Sequence, residues 1–398
     1  KTDFLMTGIK RITLDNGSRV LFVRGPRPKK NFVMVGFKVG SAYENDKNTG
    51  IFHFLEHILF KSTKMKKSRQ IIEELEGEGT EVNAGTDYQF TILHAEMLPH
   101  LTIKTLKSFF EMIVNPEYNL QELERERKVV MDEMENDKDD HVVQSSEFFF
   151  SSLFPEQYPG RPVLGHFDTL KGITKDDLEE TKKNYYIPNN AAIVLVGKVN
   201  EKEVMETIQD TFGKMEPGKL PPPFPKLGMA NSQTIKMASR DALKSQAYLC
   251  MGYKVPSSNH KDYPGLVLID SILSGGMSSR LFIALREQRG IGYQVGSALC
   301  EFGETGILYA FIPGFYKKRL QAAIKVVSRE FKKLGKTTVS QIEFERAKSR
   351  FLSHYEEALE ERETWANQVL MKEFFGMPYD FRRFAGNIKK LVPADIKR

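Results

Sequence analysis

Within the apolar stretch Thr49–Phe60, TGIFHFLEHILF, two histidines and a glutamate form the string His53-x-x-Glu56-His57. This H-x-x-E-H order is the reverse of the commoner H-E-x-x-H. Phe52, Leu55 and Leu59 recur at helical spacing, which predicts an amphipathic helix with Asn48 or Thr49 as its N-cap. One turn apart on such a helix, His53 and His57 share a face and can reach one ion. Glu56 lies on the same face, where it can hold a water for that ion and act as its base. Neutral imidazole suits Zn2+, and one added carboxylate leaves a coordination position open for chemistry. The bland alternative is a pair of solvated histidines beside an acid. Against it, histidine is scarce, 8 in 398 residues, and the flanks Ile51, Phe54 and Ile58 are apolar. Polar groups placed in such a helix are unfavourable unless something satisfies them.

A third ligand must come from elsewhere. Gln121–Asp137, QELERERKVVMDEMEND, is a strong helix former rich in acids. Glu126 and Glu133 stand two turns apart on one face, so one can ligate while the other orients a ligand or a water. Position alone leaves Glu126, Glu133 and Glu135 all open, because most acids in such a run are simply solvated.

These residues need elements to hold them. The chain is too long for one core, and Glu216–Gly228, EPGKLPPPFPKLG, reads as a stiff linker. It separates a first domain, residues 1–215, from a second, residues 229–398. Both alternate short β-rich stretches with long amphipathic helical ones, which predicts an α+β fold of two similar domains, each an antiparallel-rich sheet flanked by helices. Gly36-Phe-Lys-Val-Gly-Ser matches Gly252-Tyr-Lys-Val-Pro-Ser, an offset of 216; Glu124-Arg-Glu-Arg-Lys resembles Glu343-Phe-Glu-Arg-Ala, an offset of 219. Two landmarks at nearly one offset argue for internal duplication. At those offsets His53, Glu56 and His57 fall on Ile269, Ile272 and Leu273, and Glu133 falls on Leu352. Hydrocarbon where the first half carries polar groups is the contrast expected of a functional site against its scaffold copy.

Composition narrows the class. Hydrophobic residues make up 40% and charged residues 28%, as in ordinary globular proteins. The formal charge of +6 is modest, and Lys61–Arg69 lies among acidic runs; this is a mixed-sign solvated surface, with no nucleic-acid reader module. No apolar run is long enough to span a bilayer, so no membrane partner is expected. Cys250 and Cys300 are too few for a disulfide framework, and two buried free thiols are expected. Together these features lean towards the cytoplasm, although the chain begins without Met, as removal of a leader would leave it.

Over nearly its whole length the chain resembles the pitrilysin/insulinase zinc peptidases, among them the mitochondrial processing peptidase and its short bacterial relatives. The resemblance is carried by LDNGSRVLFV (Leu14–Val23), FHFLEHILFKST, NAGTDYQFTIL (Asn83–Leu93), ERERKVVMDEM (Glu124–Met134) and LSGGMSSRLFIALREQRGIGYQVGSAL (Leu273–Leu299). It implies Glu133 as the third zinc ligand and Glu126 as its supporting acid. Asn83 and Ala84 fall where the family offers a strand edge to the substrate backbone, which would favour extended or unfolded peptides. Arg286 and Tyr293 match a pair aimed at the substrate carbonyl, where their donors would stabilise an oxyanion; on residue chemistry alone they read as ordinary helix-end and strand residues. Gly275-Gly276 is no phosphate loop; in inactive-type subunits of the family a glycine-rich loop here handles substrate.

Two departures stand out. Ser62 replaces the usual glycine of F-K-G-T, a change expected to affect only a turn. The second half ends at KKLVPADIKR without a counterpart of the strand Ala191–Val196, so either the chain is cut short or its second sheet lacks a strand and leaves an edge to be covered.

The expected activity is zinc-dependent hydrolysis of peptide bonds, with Glu56 activating water. The resemblance implies a chamber closed by four such domains, hence a homodimer or a heterodimer with a homologous subunit. One rival is a non-catalytic core-type subunit, which would typically lose ligands. The other is a peptide-binding module with a structural metal, which would need four protein ligands and no base.

Overall fold

The computed structural model describes residues 2–4, 8–24, 29–67, 69–227, 245–377 and 381–398. Gly228 of the proline-rich stretch and residues 229–244 of the second half lie outside them. The strands are β1 (Thr2–Phe4), β2 (Ile9–Thr13), β3 (Arg19–Val23), β4 (Asn31–Phe37), β5 (Ser62–Thr63), β6 (Glu81–Thr86), β7 (Thr91–Met97), β8 (Pro116–Glu117), β9 (Ala191–Val196), β10 (Gln246–Pro256), β11 (Gly296–Phe302) and β12 (Thr305–Tyr316). The helices are α1 (Ile51–Leu59), α2 (Gln70–Glu76), α3 (Thr102–Val114), α4 (Leu120–Asp139), α5 (His141–Leu153), α6 (Phe167–Gly172), α7 (Lys175–Tyr185) and α8 (Glu201–Asp210). They continue with α9 (Tyr263–Ser274), α10 (Leu320–Lys336), α11 (Gln341–Ala358), α12 (Arg362–Phe375), α13 (Phe381–Lys390) and α14 (Pro393–Lys397).

Two compact units result, and neither is a contiguous half of the chain. The first comprises Lys1–Glu135, Arg161–Pro225 and Ala358–Tyr379; the second comprises Asn136–Gly160, Lys226–Glu357 and Asp380–Arg398. The expected boundary at 216–228 is therefore modified by an exchange of helices. α5, from the first half, packs on β10 and β12, while α12, from the second half, packs on β9 and β4. Periodicity shows that each helix has an apolar face but not which sheet receives it.

The first unit is built on a seven-stranded sheet in the order β1-β2-β3-β9-β4-β7-β6. Every pair is antiparallel except β3 with β9. Central β4 and β9 are buried along their whole length, and β6 forms one edge. The core between this sheet and its helices includes Phe52, Leu55 and Leu59 of α1, each 1% exposed or less. Burying each contributes about 1.5–3 kcal/mol. On α12, Glu373 pairs with Arg11 and Arg19, and Arg362 pairs with Glu96. The proline-rich stretch up to Pro225 belongs to this unit too: Tyr43 Oη donates to Pro222 O at 2.7 Å, and Asn189 exchanges two hydrogen bonds with Gly218.

The second unit has an antiparallel sheet β10-β12-β11, three strands among the described residues. Lys390–Arg398 holds the short helix α14 and no strand. The repeat landmarks fall on equivalent elements, Gly36 on β4 and Gly252 on β10, Glu124 on α4 and Glu343 on α11. Ile272 and Leu273 are buried, and Ile269 and Leu352 pack against the same core. Cys250 and Cys300 form no disulfide and are only partly buried, less than expected, and burial pushes the Cys250 thiol up to about 11.

Candidate metal centre

The start of α1 differs from expectation. Its N-cap is Gly50, at φ 89°. Asn48 Oδ1 instead accepts from Asn45 N, and the Thr49 hydroxyl bonds to Thr169. A side chain at Gly50 would meet Leu164 O at 2.4 Å, and one at Gly165 would meet Thr49 O at 2.3 Å, so two left-handed glycines let these loops touch. The cap is supplied from upstream. The Glu44 carboxylate, 5% exposed, accepts from Gly50 N at 2.9 Å and Phe52 N at 3.1 Å. It satisfies two orphan amides of the helix that carries both histidines.

Burial pushes the Glu44 carboxyl up to about 8, against the pull of those amides and Arg161. Above its unfolded value the unfolded chain releases this proton while the native state keeps it. Stability therefore falls as pH rises from about 4.5 to about 8. Glu44→Gln should flatten that slope in urea unfolding of the metal-free protein at pH 5, 6.5 and 8; a wild-type slope in the variant would contradict the assignment.

The acid helix α4 is held against α1 by Arg127, 8% exposed, whose guanidinium lies 5.1 Å from the Phe54 ring centroid. Arg127 also donates to the carbonyls of Leu170 and Ile173. Along α4, Val130 is fully buried, with Glu126 and Glu133 towards α1.

His53, His57 and Glu133 offer ligand atoms that all lie within 4.8 Å of one another. Glu133 Oε2 is 3.9 Å from His53 Nε2 and 3.6 Å from His57 Nε2. These distances are too long for hydrogen bonds. They are close to the roughly 3.4 Å that separates two ligands bound at 2.1 Å around a tetrahedral zinc. Two imidazole nitrogens and one carboxylate also match the donor set of a catalytic zinc with an open position. The residues present therefore fit zinc. Of the three acids that spacing left open, Glu133 is the one in this group.

Glu126 holds a different place. Its Oε2 is 3.5 Å from His57 Nδ1, the nitrogen away from the cluster, and its Oε1 is 3.0 Å from Lys61 Nζ. Burial opposes ionisation of Glu126, but the bonds from His57 and Lys61 outweigh it and its carboxyl is lowered. Burial and the neighbouring His57 push His53 down to about 3, so it presents a lone pair. Burial also lowers His57, yet Glu126, Glu133 and Glu56 together raise it. Burial holds the Glu56 carboxyl above the usual range, although the Thr86 hydroxyl, 2.8 Å from Oε2, pulls the other way.

Asn83 and Ala84 lie on edge strand β6, with Asn83 Oδ1 accepting from Ala84 N. Arg286 and Tyr293 lie in the second unit. Arg286 sits on a π-helical turn, Phe282–Glu287. Its guanidinium is 4.2 Å from the Tyr293 ring centroid and 4.8 Å from that of Phe282. Tyr293 is in the loop before β11 and 75% exposed. Ser62 opens β5 and donates to Glu122.

Sequence reasoning missed Glu44, Lys61, Thr86 and Arg127. Only Lys61 left a signal, four residues after His57 and just past the end of α1; the other contacts are tertiary.

The sequence model of the insulinase family, peptidase family M16, matches residues 19–165, and that of the M16 peptidase inactive domain matches residues 172–351. A protein of Mycobacterium tuberculosis named an uncharacterized zinc protease is 30% identical over 305 residues, 76% of this chain and 69% of that one. The chain belongs to the M16 peptidase family. Further M16-like relatives carry the same description. One from Mycobacterium leprae is 28% identical over 91% of this chain and 81% of its own, and one from Bacillus subtilis is 29% identical over 85% and 82%. Among solved structures, a protease from Helicobacter pylori has the same fold, with a TM-score of 0.90 at 24% identity, covering 99% of this chain and 96% of that one. The M16 inactive domain from Pseudomonas fluorescens aligns at TM-score 0.86 and 20% identity, over 98% and 93%. The whole candidate metal centre lies in the insulinase match; Ile269, Ile272 and Leu273 lie in the inactive-domain match. Among the described residues no helix is long and apolar enough to cross a membrane.

Proposed function

We propose that this M16 chain is a zinc endopeptidase that cleaves extended or unfolded peptides, with His53, His57 and Glu133 as ligands and Glu56 as base. The observation that carries the reading is Glu56 on the same helix as both histidines, its carboxylate held by Thr86. A structural or assembly role would need the ligands at most, not a partly buried acid beside them. Zinc, when bound, supplies a Lewis acid that polarises the peptide carbonyl and eases ionisation of water. Glu56 accepts the proton of the attacking water, hydroxide adds to the carbonyl carbon, and Glu56 returns the proton to the nitrogen as the C–N bond breaks. Edge strand β6 offers its outer side for backbone pairing with an extended peptide, which favours unfolded substrates. A quenched-peptide assay on the zinc-loaded protein tests the reading directly.

The stacked Arg286 and Tyr293 would act on the substrate carbonyl through their donors. We propose further that they do so at the metal centre of a second chain, in a homodimer or with a homologous subunit. Mixing Glu56→Gln with Tyr293→Phe chains should then restore activity that neither shows alone; a mixture as inactive as its components would contradict sharing between chains.

A further inference from the structure

The base of a hydrolytic site must present one particular oxygen to the water, and a glutamate on a helix has three rotatable bonds with which to miss it. Glu56 Oε2 accepts from the Thr86 hydroxyl at 2.8 Å, and among the described residues no hydrogen bond reaches Oε1. One oxygen is thus tethered and the other left available. Thr86 is the last residue of edge strand β6, opposite Thr91 on β7. Its β-branched side chain has a restricted χ1, so the strand sets where the hydroxyl points. A hydrogen bond to an ionised acceptor is also stronger than one between neutral groups.

We infer that Thr86 is a positioning residue for Glu56, aiming the base from the same edge strand that would pair with a peptide. The inference rests on the peptidase reading. It makes β6 a single device: Asn83 and Ala84 lie three and two residues before the hydroxyl that holds the base. A peptide laid along this edge would stiffen the backbone from which Thr86 reaches Glu56.

The test compares wild type, Thr86→Val, Thr86→Ala and Thr86→Ser, each zinc-loaded, on one quenched peptide. Crystal structures of the metal-free wild type and Val variant provide a readout independent of turnover. Val keeps the β-branched shape and loses only the donor; Ala serves if Val disturbs the strand. The expected result is unchanged zinc content and KM, a fall in kcat on the order of 10-fold for Val and Ala, and recovery in Ser. In the metal-free Val crystal the Glu56 carboxylate should leave its wild-type position. A kcat within about twofold of an active wild type, or an unmoved Glu56 carboxylate, overturns the inference and leaves the peptidase reading standing. A zinc-loaded wild type that cleaves no peptide overturns both.

Discussion

Glu56→Gln will bind zinc as the wild type does and lose about 100- to 10,000-fold in kcat, the range general acid–base catalysis contributes. The amide is nearly isosteric, and Thr86 can still donate to its oxygen. What disappears is the capacity to take a proton from water and return it to the leaving nitrogen. Because Glu56 is outside the ligand group, metal content measured by atomic absorption should be the same in both proteins. An active variant would remove Glu56 from the mechanism. A variant that is inactive because it is zinc-free would make Glu56 a ligand instead.

Among the acids of α4, substitution by Gln should weaken zinc binding in the order Glu133, then Glu126, with Glu135 unchanged. Glu133 offers the third atom of the candidate ligand group and its side chain is 40% exposed, so its replacement should leave the fold intact while removing the proposed anionic ligand. Glu126 meets His57 at the nitrogen away from the cluster. Supporting residues of this kind typically account for 10–100-fold in metal affinity, and loss of a ligand itself should exceed about 100-fold. Competition of each metal-free variant against a zinc-sensitive chelating dye measures the series. Equal affinity for Glu133→Gln and wild type would refute the ligand set, and a stronger effect at Glu126 would exchange the two roles.

How much of this was legible in the sequence varied with the range of the interaction. The histidines and Glu56 lie within one turn and a half of helix, so their common face follows from helical period alone. Glu133 is 76 residues from His57, and spacing reached only a choice among three acids; packing through Arg127 and Phe54 brings one of them to the imidazoles. The cap of α1 was misplaced because Glu44 acts from an upstream loop, accepting from Gly50 N and Phe52 N. No local pattern announces that, or the close approach of Gly50 and Gly165. Lys61 read as surface charge because it heads a basic run, yet its ammonium meets Glu126. The duplication was visible in two matched landmarks. The exchange of α5 and α12 was not, since an amphipathic helix specifies that a face is buried and not what buries it.

The central claim is that one zinc ion, held in the first unit, makes this chain a peptidase. The most direct measurement is peptide cleavage by the metal-stripped protein as zinc is titrated back. The account predicts no cleavage without metal and a rise that levels off at about one zinc per chain. Cleavage that survives complete stripping, or a chain that takes up one zinc and cleaves nothing, would contradict it.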